Sequence, residues 1–204
     1  MTETKNEMNV TEDVENISSV DFPFTVKQIC DKFQKESNIN EINISFHVTS
    51  IYNSTLFEAF SKMFQDMMPQ NKSLSILIEK LTDSCNFEKA FLFDVFNKIY
   101  LAMDNSPNAS QNYELCSDII DVVLDMSGIY GDPSDEFYFD DKSTCSIKIF
   151  NHFTNTNNIL FLKFIHKNLA LIAIINEENY ERNNLLDYNI NIFRQGVKSI
   201  LKIK

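Results

Sequence analysis

Apolar and polar positions alternate strictly over residues 42–49. Ile42, Ile44, Phe46 and Val48 fall between Asn43, Ser45, His47 and Thr49, a period of two that predicts a half-buried strand. The period then changes. Leu56, Phe60, Met63 and Met67 recur at helical spacing up to Pro69, and Thr55-Leu56-Phe57-Glu58 fits a capping box at the start of that helix. A second helix is expected from Lys72 to about Cys85, with Leu74, Leu77, Ile78 and Leu81 as its core face. Upstream, Phe24–Lys35 places Val26, Ile29, Cys30 and Phe33 on one side of a short helix.

The middle of the chain is more apolar. Ala90–Val95 reads as a strand buried on both faces, and Lys98–Met103 repeats the pattern after the polar break at Asn97-Lys98, so the pair predicts a hairpin. Asp104–Gln111 collects Asn, Ser and Pro107 and reads as loop. Tyr113–Ile129 follows at helical spacing. Its acids Asp118, Asp121 and Asp125 share one narrow stripe, read as a solvated face, while Leu115, Cys116, Ile119, Ile120, Val122, Val123, Leu124 and Met126 cover most of the rest. A helix docked on one sheet needs an apolar arc of only about 100°. Two coverings fit the surplus, a further layer of the same domain or a second chain, and the pattern favours the second chain.

Asp132–Asp141 is acidic and reads as loop. Ser143–Phe153 predicts a strand with Cys145, Ile147 and Ile149 on one face; Ile159–Ile165 and Leu169–Ile175 predict two more, joined across His166-Lys167-Asn168. Glu178–Arg182 reads as a charged surface turn. Leu186, Ile190, Phe193, Val197 and Ile200 define a final amphipathic helix, with Lys198, Lys202 and Lys204 complementing the dipole at its end. From residue 72 to 203 the order is α-β-β-α-β-β-β-α, an α+β arrangement with a five-stranded antiparallel sheet and helices on its faces.

Composition narrows the functional classes. With 204 residues and 44% hydrophobic content the chain can bury one substantial core. A net charge of −11 argues against nucleic acid or an anionic membrane surface as the main partner. Residues 1–21 set six acids against Lys5 and read as a disordered tail. Cys30, Cys85, Cys116 and Cys145 form no C-x-x-C pair, and without a secretory signal they are expected to be reduced thiols of a cytoplasmic protein. No apolar run approaches 18 residues, residue 2 is Thr, and no Cys lies near the C-terminus, so membrane insertion and lipidation are not expected. His47, His152 and His166 are too scattered to form a metal site with the cysteines, and no catalytic constellation emerges.

Several blocks resemble the Rag GTPases of the C/D type. They are Glu88–Val95, Lys98-Ile99-Tyr100, Tyr113-Glu114-Leu115-Cys116, Asp118–Val123 and Ile129-Tyr130-Gly131. The likeness reaches back through Thr49-Ser50-Ile51-Tyr52 and Leu56–Lys62, and forward through Leu169-Ala170-Leu171 and Leu186–Asn189, so that it covers roughly residues 24–203. The resemblance implies a roadblock/longin-like dimerisation domain over 70–204, preceded over 22–69 by the last helix–strand–helix of a GTPase domain. In it Thr49, Ser50, Ile51 and Tyr52 correspond to the guanine-side loop. It further implies an obligate heterodimer with an A/B-type Rag, with Leu115, Ile119, Val122, Val123, Met126, Ile147 and Ile149 as the dimer interface. Such dimers sit on a lysosomal or vacuolar roadblock scaffold and relay amino-acid sufficiency to target-of-rapamycin complex 1.

The sequence departs from the family at the nucleotide site. A phosphate loop needs G-x-x-x-x-G-K-S/T so that glycine amides cradle the phosphates and Lys reaches them. The three glycines, Gly128, Gly131 and Gly196, belong to no such loop, and the magnesium and guanine motifs are missing as well. The chain as written is expected to bind no GTP or GDP, to hydrolyse none, and to act by binding. Two alternatives stand beside this: a fragment of a full-length GTP-hydrolysing Rag, for which GTP or GDP is the cofactor, or a stand-alone roadblock/longin-type adaptor in trafficking or scaffolding.

Overall fold

The computed structural model describes residues 47, 49–52, 54–106, 110–130, 144–151, 156–181 and 183–202. The chain divides into two units, 1–48 and 49–204, and the elements below belong to the second. The expected tail 1–21, the helix 24–35, the strand 42–48 apart from His47, and the loop 132–141 lie outside the described residues.

The elements run α1 (Thr55–Met67), α2 (Asn71–Cys85), β1 (Phe87–Asp94), β2 (Ile99–Met103), α3 (Ser110–Tyr130), β3 (Thr144–Asn151), β4 (Thr156–His166), β5 (Leu169–Asn176), α4 (Glu177–Tyr180) and α5 (Asn183–Leu201). From α2 onward this is the order expected of a roadblock-type domain, with the one-turn α4 added where a turn was expected. Asn176 starts that turn by accepting from the Glu178 N–H at 3.0 Å.

The five strands form one sheet in the order β2-β1-β5-β4-β3, antiparallel throughout. The strongly apolar strands β1 and β5 are neighbours inside the sheet, where both faces are covered. Side-chain alternation splits the core in two. On one face Ala90, Leu92, Leu171, Ala173 and Phe161 meet Leu74, Ile78 and Leu81 of α2 and Leu186, Ile190, Phe193 and Val197 of α5. On the other, Phe91, Phe93, Leu160, Leu162 and Ile172 meet Tyr113, Cys116, Ile119 and Ile120 of α3.

Local chemistry sets the turns. Asn86 ends α2 in the left-handed region at φ 55°, which Asn tolerates better than most residues. In the β1–β2 turn the Asp94 carboxylate accepts from the Phe96 and Asn97 amides at 3.2 and 3.4 Å, while Lys98 takes φ 53°.

Two sequence expectations need correcting. The capping box at Thr55 does not form. Ser54 is the N-cap, without a side-chain cap bond, and the Thr55 hydroxyl instead accepts from the Ser50 amide at 2.9 Å. The loop after β2 is shorter than expected, since α3 already begins at Ser110.

Candidate functional site

The feature that stands out is one helix half. Toward its start, α3 presents Tyr113, Cys116, Ile119 and Ile120 to the sheet, all buried. Toward its end it outruns that support. Val122 is 46% exposed and Met126 52%, and Ile129 and Tyr130 are more exposed still. β3 continues this surface. It is the sheet's outermost strand opposite β2, paired with β4 alone among the described residues. Its Cys145 and Ile149 pack against the α3 side of the core, and Ile147, of the same parity, is 37% exposed.

The predicted interface residues thus divide. Val122, Met126 and Ile147 are open to a partner. Leu115, Val123 and Ile149 are partly buried against their own core. Ile119 is a correction: it is wholly buried against its own sheet and has no surface to offer a second chain. Helical periodicity alone cannot tell which part of a nearly all-apolar helix overhangs the sheet, because that depends on where β3 ends.

The acidic stripe flanks the overhang. Asp121 pairs with Lys98 at 2.7 Å, tying α3 to the hairpin, and Asp118 and Asp125 are exposed. At the other end of α3, a cavity of about 250 Å³ lies among Ile51, Tyr52, Ser54, Phe57, Tyr113, Glu114, Ser117 and Asp118. This is where Thr49-Ser50-Ile51-Tyr52 falls. Ile51 and Tyr52 are exposed in a turn, and the Tyr52 amide donates to the Ser50 hydroxyl at 3.2 Å. The cavity is lined by two carboxylates and no cationic side chain, so its field opposes polyphosphate.

Cys116 is not a nucleophile candidate: burial pushes its thiol up, far from the thiolate range, and the nearby Lys89 only partly offsets this. Sequence reasoning missed Lys89 as a structural centre. The side chain is buried in β1, 3.3 Å from the Asp104 carboxylate and 2.9 Å from the Ser106 hydroxyl, with the Phe91 ring centroid 5.4 Å away. The sequence gives little signal for it, since Lys89 stands beside Glu88 just before the apolar run Ala90–Val95.

Comparison with known proteins shows the family. The profile of the Gtr1/RagA G protein conserved region matches residues 9–120. Ras-related GTP-binding protein C of Mus musculus is 43% identical over 171 residues, which cover 82% of this chain and 42% of that protein. GTP-binding protein gtr2 of Schizosaccharomyces pombe is 38% identical over 167 residues, 79% of this chain and 52% of that one. The chain therefore spans about half or less of these relatives. Among solved structures, Myxococcus xanthus MglB aligns over 64% of this chain and 95% of its own at 15% identity, with a TM-score of 0.45. A Roadblock/LC7 domain from Streptomyces avermitilis aligns over 63% and 97% at 12% identity, with a TM-score of 0.43. On the matched profile and the relatives' identity, the chain belongs to the Gtr1/Rag family of G proteins and is of its C/D, or Gtr2, type.

Proposed function

We propose that this chain acts by binding, as the C/D-type subunit of a heterodimer with an A/B-type Rag. Through it, amino-acid sufficiency is relayed to target-of-rapamycin complex 1 on a lysosomal or vacuolar roadblock scaffold. The observation that carries the reading is the apolar surface formed by the outer half of α3 and by β3, the edge strand among the described residues. A helix that leaves Val122, Met126, Ile129 and Tyr130 partly in water forgoes burial that a partner would supply. A fully exposed side chain gains about 1.5–3 kcal/mol on full covering, and the half-covered Val122 and Met126 gain correspondingly less. A second roadblock domain offers a matching strand edge and helix, and an interface of roughly 800 Å² per partner is the usual scale.

The chain as written binds neither GTP nor GDP in this proposal, because glycine amides and a cation are what hold a phosphate chain and its sequence has no such loop. Titration calorimetry with nucleotide and magnesium tests that half: no heat of binding is expected, and a micromolar dissociation constant, about −8 kcal/mol, overturns it. Co-expression with an A/B-type Rag tests the other half: a soluble 1:1 complex is expected, and separate elution of the two chains overturns it.

A second reading has one observation in its favour. The curated relatives are longer than this chain, which covers 42% of one and 52% of the other, as they would be if it were part of a GTP-hydrolysing protein. Transcript sequence upstream of the Met1 codon decides between the two.

A further inference from the structure

The apolar surface at the end of α3 is bordered on one side by carboxylates. Asp118 lies four residues before Val122, and Asp125 lies three after it and four before Ile129, so these side chains are neighbours on the helix. Both acids are exposed, and neither has an ion-pair partner among the described residues. Asp121, in the same stripe, is the contrast, since Lys98 neutralises it at 2.7 Å.

Nothing on α3 offsets the two free charges. The helix carries the acids Glu114, Asp118, Asp121 and Asp125, and no Lys, Arg or His between Ser110 and Tyr130. The lysines of the neighbouring strands do not serve either. By strand alternation Lys148 of β3 stands on the face opposite Ile147 and Ile149, where it meets Glu177 at 2.6 Å. Lys163 of β4 pairs with Asp187 of α5 on that same opposite face. The end of α3 thus sets exposed apolar side chains beside uncompensated negative charge.

Such a surface discriminates between partners. In a two-fold pairing of identical chains the same patch appears on both sides. Each free carboxylate of one α3 then meets a carboxylate or an apolar side chain of the other. The first contact is repulsive, and the second strips water from a charge without replacing it. The net charge of −11 adds repulsion between copies at longer range. A chain that presents an apolar stripe bordered by Lys or Arg satisfies both carboxylates instead.

We propose that Asp118 and Asp125 choose the partner of α3: they admit a chain with Lys or Arg beside its apolar stripe and turn away a second copy of this one. This deepens, and rests on, the reading of the α3 surface as a docking face. Charges at the rim of an interface act through specificity and association rate more than through raw affinity. Specificity is a difference between two affinities, so the test compares pairs.

The full chain is compared with Asp118→Asn/Asp125→Asn and with Asp118→Lys/Asp125→Lys, each checked for folding by circular dichroism. Exposed helix positions tolerate both changes. Sedimentation mass against concentration is read for the parent, for the lysine variant and for an equal mixture of the two, at low and high salt. The proposal expects a single-chain mass for each protein alone, a two-chain mass for the mixture at low salt, and its loss at high salt. A parent that pairs as strongly as the mixture, a mixture that does not pair, or pairing that ignores salt each overturn it. Toward an A/B-type Rag, the lysine variant should bind at least about tenfold more weakly than the parent, with the asparagine variant in between. Equal binding by all three also overturns it. An A/B-type Rag that binds none of them, while the mixture still pairs, contradicts the proposed function and supports the charge selection.

Discussion

Lys89 and Asp104 form an ion pair inside the protein, Nζ 3.3 Å from Oδ1, with both side chains almost wholly out of water. Asp104 also accepts from the Ala90 amide at 3.1 Å and from the Ser106 amide at 3.1 Å, so the pair anchors the chain leaving β2 to the centre of the sheet. Removing one partner leaves the other charged and buried. Lys89→Met or Asp104→Leu alone should destabilise the fold by about 3–5 kcal/mol, and the double replacement by clearly less. Urea unfolding of the three variants measures this; single losses under 1 kcal/mol would show that water reaches the site.

Tyr100 and Tyr113 lie on the same side of the sheet but differ at their hydroxyls. Tyr113 donates to the Lys98 carbonyl at 2.8 Å, while the Tyr100 hydroxyl is buried without a partner among the described residues. Tyr100→Phe should therefore be neutral or stabilising by up to about 1 kcal/mol, and Tyr113→Phe should cost about 1 kcal/mol. Burial, with the nearby Glu58 carboxylate, pushes the Tyr100 phenol up from 10.0 to about 12. A raised folded-state pKa stabilises the fold below the unfolded value and is lost as pH rises through the folded one. Stability should fall from about pH 10 to pH 12, less steeply in Tyr100→Phe. Phenolate absorbance against pH, read alongside unfolding, checks both statements.

The two described glycines sit in helices with different surroundings. A Cβ on Gly128 meets nothing within 4 Å, so Gly128→Ala should raise stability by up to about 1 kcal/mol through helix propensity. A Cβ on Gly196 comes within 2.8 Å of the Leu77 side chain. Gly196→Val should cost about 1–3 kcal/mol by overpacking. Thermal unfolding ranks them; the reverse order would contradict the packing of α2 on α5.

Much of the architecture is legible in the residues. The run Leu169–Ile175 announces a central strand because nothing in it tolerates water, and Leu186, Ile190, Phe193 and Val197 announce the face that α5 buries. What was not legible has a common cause, namely side chains that act on backbone elsewhere. Ser61 and Gln65 look like ordinary polar positions until β2 is seen beside them. Thr55 looks like a cap until Ser50 claims its hydroxyl. Ile119 and Val122, three residues apart and equally apolar, differ only in where the sheet lies, so one is core and the other open surface.

In the proposed heterodimer the second Rag binds at the outer half of α3. The direct measurement is the affinity of a purified A/B-type Rag for the parent chain, Val122→Asp and Met126→Asp, with circular dichroism confirming that each variant is folded. Both positions are exposed in the single chain, so an acid there should leave the fold intact. In the complex it is an unpaired charge in a dry contact, costing several kcal/mol. A loss of at least about a hundredfold, about 3 kcal/mol, is expected for both variants. Folded variants that bind with undiminished affinity would contradict it.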